Sequence, residues 1–216
     1  MISRRSFVTS SAVLLVPIVL GHSAVTAKRK KRRKKKTVTR TFSNTQTIDI
    51  QSSETRSSQI AVSGLKKGKL LDVNVILNGF THPQPDDVDL MLVAPDSKNA
   101  LILSDSGAGN NVNGITLTLD DEAVDELPNS DQLVSKSYRP ANFGGGANDM
   151  FLNPVGTPAP SPSGNVALST FDGINPNGIW TLFVADNNAG GNGVLASGWT
   201  LVITARVTKK RKRTKR

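Results

Sequence analysis

Cysteine is absent from the 216 residues of this chain, and aromatic residues make up only 5% of it. Without thiols the chain can form neither a disulfide nor a thiolate metal site, so its stability must come from a packed core. Apolar residues account for 37% of the chain, which allows a core built mainly from valine, leucine and isoleucine. The length suits one domain of ordinary size with tails.

Histidine is almost as scarce, since the chain contains only His22 and His82. His22 lies within residues 1–27, which have the features of an export signal, so His82 is the one candidate for a catalytic base. A serine-protease triad needs a histidine beside a serine nucleophile, and no serine here sits in a Gly-x-Ser-x-Gly turn. We therefore expect a protein that is not an enzyme, in which His82 packs or hydrogen-bonds at a strand end. One histidine and no cysteine also argue against zinc.

The leader contains no apolar run long enough to cross a bilayer, which needs about 20 residues. Residues 3–7, SRRSF, resemble a twin-arginine export signal, and the apolar stretch that follows covers only residues 12–20. The small residues Val25, Thr26 and Ala27 suit signal peptidase, so the mature chain is expected to begin at Lys28. An ordinary secretory signal is the alternative. Either signal predicts a protein outside the cytoplasm, secreted or bound to the cell surface.

Positive charge is concentrated near the two ends of the chain, whose net charge is +10. Residues 28–36 are all basic, as are all residues of 209–216 except Thr214. Residues 37–208 contain all 17 acidic residues but only nine basic ones, so this central part carries a net charge of −8. We expect residues 28–40 and 207–216 to be disordered basic segments flanking the folded part.

Such basic runs bind polyanions without regard to sequence, and a wall polymer or an anionic membrane surface is the expected partner. They contain no aromatic residue to stack on bases, so sequence-specific recognition of nucleic acid is not expected. The central part alone is not expected to bind. The candidate polyanion-binding residues are Lys28, Arg29, Lys30, Lys31, Arg32, Arg33, Lys34, Lys35, Lys36, Lys209, Lys210, Arg211, Lys212 and Arg213.

Between the basic runs, short apolar alternations separated by turn residues predict an all-β fold. Apolar residues alternate with polar ones in residues 71–77, 115–119, 180–184 and 199–203, while residues 90–93 predict a strand buried on both faces. Four Asn-Gly dipeptides, the first at residues 78–79, are interpreted as turns. The one plausible helical segment is residues 120–127. The fold class predicted is a jelly-roll β-sandwich over residues 41–206, with residues 142–165 as a long flexible insertion.

Two separated signatures in the chain resemble the P domain (P/Homo B domain) of subtilisin-like proprotein convertases. The first comprises VILNGFTH at residues 75–82 and DVDLMLVAPD at 87–96. The second comprises GIWTLFVAD at residues 178–186, GVL at 193–195 and GWTLVI at 198–203. The resemblance covers residues 42–205 and departs from the family pattern at Ser97, where glycine is usual. It implies a jelly-roll sandwich similar to galactose-binding-like domains, and a domain that accompanies a catalytic serine endopeptidase.

Calcium is the one cofactor that the sequence suggests, because some relatives in the resembled family look calcium-dependent. Several loops are rich in the carboxylate and amide oxygens that Ca²⁺ prefers, although Asp and Asn also form turns without any metal. The candidate ligands are Asp86, Asp87, Asp89, Asp105, Asp186 and Asn188.

Three kinds of function remain open from the sequence. The first is an exported, non-catalytic P-domain protein that binds or scaffolds, as an accessory to a subtilisin-like serine endopeptidase. The second is a component of a proteolytic system in the sense of the family as a whole. The third is a surface protein that binds polyanions or carbohydrate.

Overall fold

The computed structural model describes residues 35–144, 149–152, 154–188 and 191–208, which form part of one compact unit, Arg33–Arg216. Strands dominate these residues, two short 3₁₀ helices occur, and no α-helix is present among them. No helix in the described part of the chain is long and apolar enough to span a membrane. The predicted leader and most of the two basic runs lie outside the described residues.

The strands follow the apolar alternation of the sequence, because buried and exposed side chains alternate along a pleated strand with a period of two. In the described residues they are β1 (Lys35–Asn44), β2 (Ile48–Ile50), β3 (Glu54–Val62), β4 (Lys69–His82), β5 (Val88–Val93), β6 (Asn99–Ser104), β7 (Val112–Leu119), β8 (Lys136–Tyr138), β9 (Ala141–Asn142), β10 (Pro154–Val155), β11 (Gly178–Asp186), β12 (Gly193–Leu195) and β13 (Trp199–Thr208). The 3₁₀ helices are Pro85–Asp87 and Leu168–Phe171.

Two sheets form the sandwich. The first follows the order β1-β13-β4-β12-β2, with β7 on the other side of β4 and β8 paired to β7. The second follows the order β10-β3-β11-β5-β6-β9. The long strand β4 joins the two sheets, because it ends at His82 and the chain enters β5 only a few residues later. The predicted all-β sandwich is therefore confirmed.

The main core lies between the sheets and is built largely from aliphatic side chains around two tryptophans. Trp180 on β11 and Trp199 on β13 are both fully buried. The Trp180 indole donates to the Pro176 carbonyl at 2.9 Å, and its ring meets Phe171 edge-on with centroids 5.2 Å apart. The Trp199 indole donates to Ser58 Oγ at 2.9 Å. Each ring thus fills the core while its N–H is satisfied.

A second, smaller apolar cluster covers the outer face of the second sheet. It contains Met91, Leu101 and Phe183, with Phe151 packed edge-on against Phe183 at a centroid distance of 6.4 Å. Phe151 belongs to the segment expected to be a flexible insertion. Burial of this side chain places part of residues 142–165 against the sheet.

Three other predictions need correction. The folded part includes residues 35–40 and 207–208, which were expected to be disordered, since β1 pairs with β13 from Lys35 opposite Thr208. Residues 120–127 form turns and an isolated bridge rather than a helix. Two of the Asn-Gly dipeptides lie inside β4 and β7 instead of in turns. At the first of these, Gly79 adopts φ 71° where the register between β4 and β7 shifts.

Candidate metal centre

A cavity of about 380 Å³ at one end of the second sheet gathers most of the predicted calcium ligands. We call it the acidic cavity. It is lined by Asp86, Asp87, Asp89, Asp105, Asp149, Met150, Leu152, Asn187 and Asn188. Five of the six predicted ligands are therefore brought together, and Asp186 is not among them.

The antiparallel register of the second sheet explains why residues so distant in sequence meet here. The start of β5 lies beside the end of β11, with Asp89 opposite Ala185, so Asn187 and Asn188 emerge next to the 3₁₀ helix that precedes β5. On the other side of β5, Leu90 pairs with Leu103 near the end of β6, and Asp105 follows directly. The loop after β9 then adds Asp149.

Three carboxylates form the closest group in the cavity. One oxygen from each of Asp89, Asp105 and Asp149 lies within 4.8 Å of the others. Ser104 Oγ lies 2.9 Å from Asp105 Oδ2 and 3.0 Å from Asp149 Oδ1, yet a hydroxyl can donate only one hydrogen at a time. One of these two carboxylate contacts is therefore left without a hydrogen from Ser104.

Amide groups of the described residues also donate hydrogen bonds to these carboxylates. Asn142 Nδ2 donates to Asp149 Oδ2 at 2.8 Å, the Gly144 amide donates to Asp105 Oδ2 at 3.0 Å, and Asn187 Nδ2 donates to Asp89. These donors are neutral. They orient the carboxylates without cancelling their charge.

The cavity lacks a protein cation to balance its five aspartates, since none of the described residues that line it is basic. Two further oxygens, Asp86 Oδ1 and Asp87 Oδ2, are buried without a hydrogen-bond partner among the described residues. Buried carboxylates are normally paired or bound to a metal. Several hard oxygens around one cavity, with no thiolate or imidazole among the described residues that line it, match the donor set of Ca²⁺ rather than that of a transition metal. The residues present therefore fit calcium.

Burial of these carboxylates shifts their proton affinity in the direction expected for crowded like charges. Burial is the main cause that raises the pKa of Asp89 to about 7; the Ser104 hydroxyl acts against this rise, and the charges of Asp149 and Asp105 contribute to it. The pKa of Asp86 is also raised, again chiefly by burial. In the absence of a cation the ionised cavity is thus destabilising.

This electrostatic cost predicts a pH dependence for the calcium-free protein. The pKa of Asp89 is about 7 in the folded state against 3.8 for the ordinary side chain, so the folded state retains a proton that the unfolded state releases. The stability of the calcium-free protein therefore falls as pH rises from about 4 to about 7 and stays low above that. At pH 8 in chelator, Asp89→Asn should therefore be more stable than wild type by roughly 2–4 kcal/mol. Urea unfolding of wild type and variant in chelator, at about pH 4 and at pH 8, measures the difference in stability. A variant no more stable than wild type at pH 8 would contradict the raised pKa of Asp89.

Asp186 points away from the acidic cavity, which corrects its assignment as a ligand. Its side chain is buried on the core side of β11, with Oδ2 3.4 Å from Nε2 of His82 and 3.4 Å from Ser52 Oγ. His82 is fully buried, and its Nδ1 lies 2.7 Å from the Gln84 carbonyl. His82 thus sits at a strand end, as expected from the sequence. In the described residues no hydroxyl forms a hydrogen bond with it.

Two residues of the cavity were not identified from the sequence as ligands. Asp149 lies in the long segment that sequence alone marks only as glycine- and proline-rich, and nothing in the local pattern distinguishes it from a solvent-exposed aspartate. Asn187 directly precedes the candidate ligand Asn188 but is not among the candidate ligands. Its position follows once Asp89 and Ala185 are known to be paired.

The structure describes only part of the predicted polyanion-binding residues and offers no clear site for carbohydrate among the described residues. Of the candidate polyanion-binding residues, Lys35 and Lys36 are described and exposed on β1, and the others lie outside the described residues. A polar groove of about 500 Å³ runs between the edges of the two sheets beside Gln46, Arg56 and Gln59. No aromatic side chain lines this groove, so it lacks the stacking platform that sugar-binding sites commonly use. The groove therefore adds no support for carbohydrate binding.

Comparison with known proteins finds only weak structural similarities. The chain matches no protein-family model and no curated protein. Among solved structures it is similar to a serine protease of Aeromonas sobria, at 12% identity and a TM-score of 0.42, and to the complex of Aeromonas sobria serine protease with the chaperone ORF2, at 13% and 0.40. Both matches cover 82% of this chain and 28% of the other chain. The chain thus spans under a third of the length of these proteases, and TM-scores this low carry no argument about function.

Proposed function

We propose that the chain is an exported, non-catalytic binding protein whose P-domain-like sandwich is stabilised by Ca²⁺ in the acidic cavity. The observation that carries the proposal is the convergence of five aspartates on one cavity that no described basic side chain lines. Export rests on the twin-arginine-like leader, and the P-domain relationship rests on the two sequence signatures. Asp89, Asp105 and Asp149 would hold the ion, with Asp86 and Asp87 beside them, and the bound Ca²⁺ would neutralise their charges.

A role beside a subtilisin-like serine endopeptidase follows from the same sequence resemblance. In the resembled family the P domain accompanies the catalytic domain, so this chain would act as an accessory to a protease carried on another chain. A gene for a subtilisin-like protease without its own P domain, next to the gene for this chain, is the observation expected under this proposal. A family-level role in proteolysis would be fulfilled through that partner.

The absence of catalysis is supported by the surroundings of His82. This histidine faces Asp186, but the nearby Ser52 hydroxyl contacts Asp186 and the Gly191 carbonyl instead of the imidazole. A triad needs the serine hydroxyl hydrogen-bonded to one nitrogen of the imidazole and the aspartate hydrogen-bonded to the other. The full burial of His82 also keeps a substrate from reaching the imidazole.

The purified mature chain should accordingly hydrolyse neither denatured protein nor dibasic peptides, with or without calcium. The measurement is release of a fluorescent leaving group over several hours. His82→Ala is the matched variant for any residual signal. Hydrolysis that survives extensive purification and disappears in His82→Ala would refute the non-catalytic assignment.

A second function, binding of polyanions through the terminal basic runs, is supported by their charge. Residues 28–36 carry nine positive charges and residues 209–216 carry seven. Each lysine or arginine near an anionic surface contributes about 1 kcal/mol of attraction, and salt weakens this attraction steeply. The membrane or wall polymer outside the cell would be the partner.

A further inference from the structure

Seven basic side chains of the described residues cluster at the end of the first sheet farthest from the acidic cavity. We call this cluster the basic end. It consists of Lys35, Lys36, Arg40, Lys66, Lys67, Lys69 and Arg206, all of which are exposed.

Strand register and one tight turn bring these residues together. Thr37 on β1, Arg206 on β13 and Lys69 on β4 lie opposite one another in a row across three neighbouring strands. The turn between β3 and β4 presents Lys66 and Lys67 beside this row, because the Thr208 amide donates to the Lys66 carbonyl at 3.2 Å. The basic end is therefore a feature of the folded sandwich itself.

The side chains of the basic end are not neutralised within the described part of the molecule. None of the seven forms an ion pair there, and none of their charged groups forms a hydrogen bond. The described basic residues elsewhere are different: Arg56 pairs with Glu54 at 2.8 Å, Lys136 pairs with Asp125, and Lys98 donates to the Thr170 carbonyl at 3.2 Å. Positive charge available to a partner is thus concentrated at one place.

Chain connectivity attaches both terminal basic runs to this same place. Lys35 lies opposite Thr208 in the pairing of β1 with β13. The run of residues 28–36 ends within β1, at Lys35 and Lys36, and the run of residues 209–216 follows directly after Thr208. The two runs therefore join the sandwich side by side, at the basic end.

The distribution of negative charge on the sandwich would fix its orientation at a negatively charged surface. From Lys69 the strand β4 extends for 14 residues, roughly 45 Å at the usual rise per residue, to His82. His82 contacts Asp186, which is followed by Asn187 and Asn188 of the acidic cavity. A negatively charged surface would attract one end of the sandwich and repel the other.

A group of acidic side chains close to the basic end limits which strands can approach a negatively charged surface. Asp120, Asp121 and Glu122 follow β7, on the side of β4 away from β13, and the exposed Asp172 lies close to Asp121. Asp72 lies on β4 itself, opposite Thr204. The contact is therefore expected to involve β1, β13 and the turn before β4, with the β7 side tilted away.

We propose that the basic end is a docking surface for an anionic lipid bilayer, on which the sandwich stands end-on with the acidic cavity facing away. A linear polyanion would be matched better by a stripe of free cations along the body, whereas the unpaired cations here lie at one end, as contact with a plane requires. No tryptophan or phenylalanine belongs to the basic end, so the attachment is electrostatic and reversible. This inference does not depend on the proposed calcium site, and it replaces the expectation that residues 37–208 alone do not bind an anionic surface.

The test compares two triple variants of the full mature chain, both of which remove three positive charges. The first, Lys66→Gln with Lys67→Gln and Lys69→Gln, changes the basic end and leaves the terminal runs intact. The matched control, Arg56→Gln with Lys98→Gln and Lys136→Gln, removes the same charge elsewhere. Binding is measured by co-sedimentation with vesicles of equal parts phosphatidylglycerol and phosphatidylcholine at about 20 mM salt, where screening is weak. Circular dichroism confirms that both variants fold.

We expect the basic-end variant to lose roughly 100-fold in vesicle binding, since each lysine at an anionic surface contributes about fivefold. The control variant should lose less than about threefold at the same salt concentration. Equal binding by the two variants would overturn the inference while leaving polyanion binding by the terminal runs intact. Failure of the wild-type chain to bind these vesicles would refute both. A loss of soluble-polyphosphate binding by the basic-end variant as large as its loss of vesicle binding would overturn the assignment of a planar lipid surface.

Discussion

Replacing either Trp180 or Trp199 with alanine is expected to lower the free energy of unfolding by about 3–5 kcal/mol, the usual cost of emptying a large aromatic site in a packed core. Both rings are fully buried between the sheets. Each change also removes an indole donor, from the Pro176 carbonyl in one case and from Ser58 Oγ in the other. The loss of these hydrogen bonds adds to the cost, because the buried partner is left unsatisfied.

The neighbouring residue on β11 provides a matched control for this prediction. Ile179 precedes Trp180 but faces outward, with 48% of its surface exposed. Ile179→Ala should therefore cost about 0.5 kcal/mol or less. Urea unfolding of the three variants gives the comparison. Losses below roughly 1 kcal/mol for both tryptophans would place them on the surface, which the sandwich described above does not allow.

Saturation of the acidic cavity with Ca²⁺ is expected to raise the midpoint of thermal unfolding by about 5–10 °C over the protein in chelator. At a calcium concentration about a hundredfold above the dissociation constant, binding stabilises the folded state by about 2.7 kcal/mol. For a folded unit of this size, each kcal/mol shifts the midpoint by about 2–4 °C. Mg²⁺ at the same concentration should have a smaller effect, because it demands six oxygens in a more rigid arrangement.

Two single-charge variants decide whether the calcium response comes from the cavity. Asp89→Asn removes one of the three clustered carboxylates and should abolish most of the response. Asp172→Asn removes an exposed carboxylate that does not line the cavity, and its response should equal that of wild type. A calcium response retained by Asp89→Asn, or lost equally by both variants, would place the ion elsewhere.

The sandwich could be predicted from the sequence because strand alternation and side-chain burial are governed by the same period of two. The alternating residues 71–77 and 199–203 fall within β4 and β13, and the continuous apolar run at residues 90–93 falls within β5, which is covered on both faces. The cover on the outer face was not predictable in the same way. It is supplied by Phe151, the buried member of the apolar triplet Met150, Phe151 and Leu152, and nothing in the local sequence shows which of the three faces the sheet.

Local signals failed where long-range pairing decided the conformation. Residues 120–127 have helix-forming composition, but Asp121 accepts hydrogen bonds from the backbone amides of Leu168 and Ser169, at 2.9 and 2.7 Å, and Glu126 bridges to Arg139. These contacts hold the segment in turns. At Asn78-Gly79 the pairing of β4 with its neighbours keeps the dipeptide inside a strand, and the positive φ of Gly79 is used for a bulge.

The sequence predicted five of the residues that line the candidate site, but it also included Asp186 and it missed Asp149 and Asn187. Strand parity does contain the information that excludes Asp186, because this residue has the same parity as the core residues Trp180, Leu182 and Val184. By contrast, Asp89 could not be assigned to the outer face without the register of β5, a strand buried on both sides. Asp149 could not be assigned at all, since its position depends on how the long segment after β9 packs.

The most direct test of the central claim is a crystal structure of the mature chain grown with calcium, with anomalous diffraction data to locate the ion. The account predicts one strong peak in the acidic cavity, with carboxylate oxygens of Asp89, Asp105 and Asp149 about 2.3–2.6 Å from it. An acidic cavity without a peak at saturating calcium, or a peak bound only by residues outside the cavity, would contradict it.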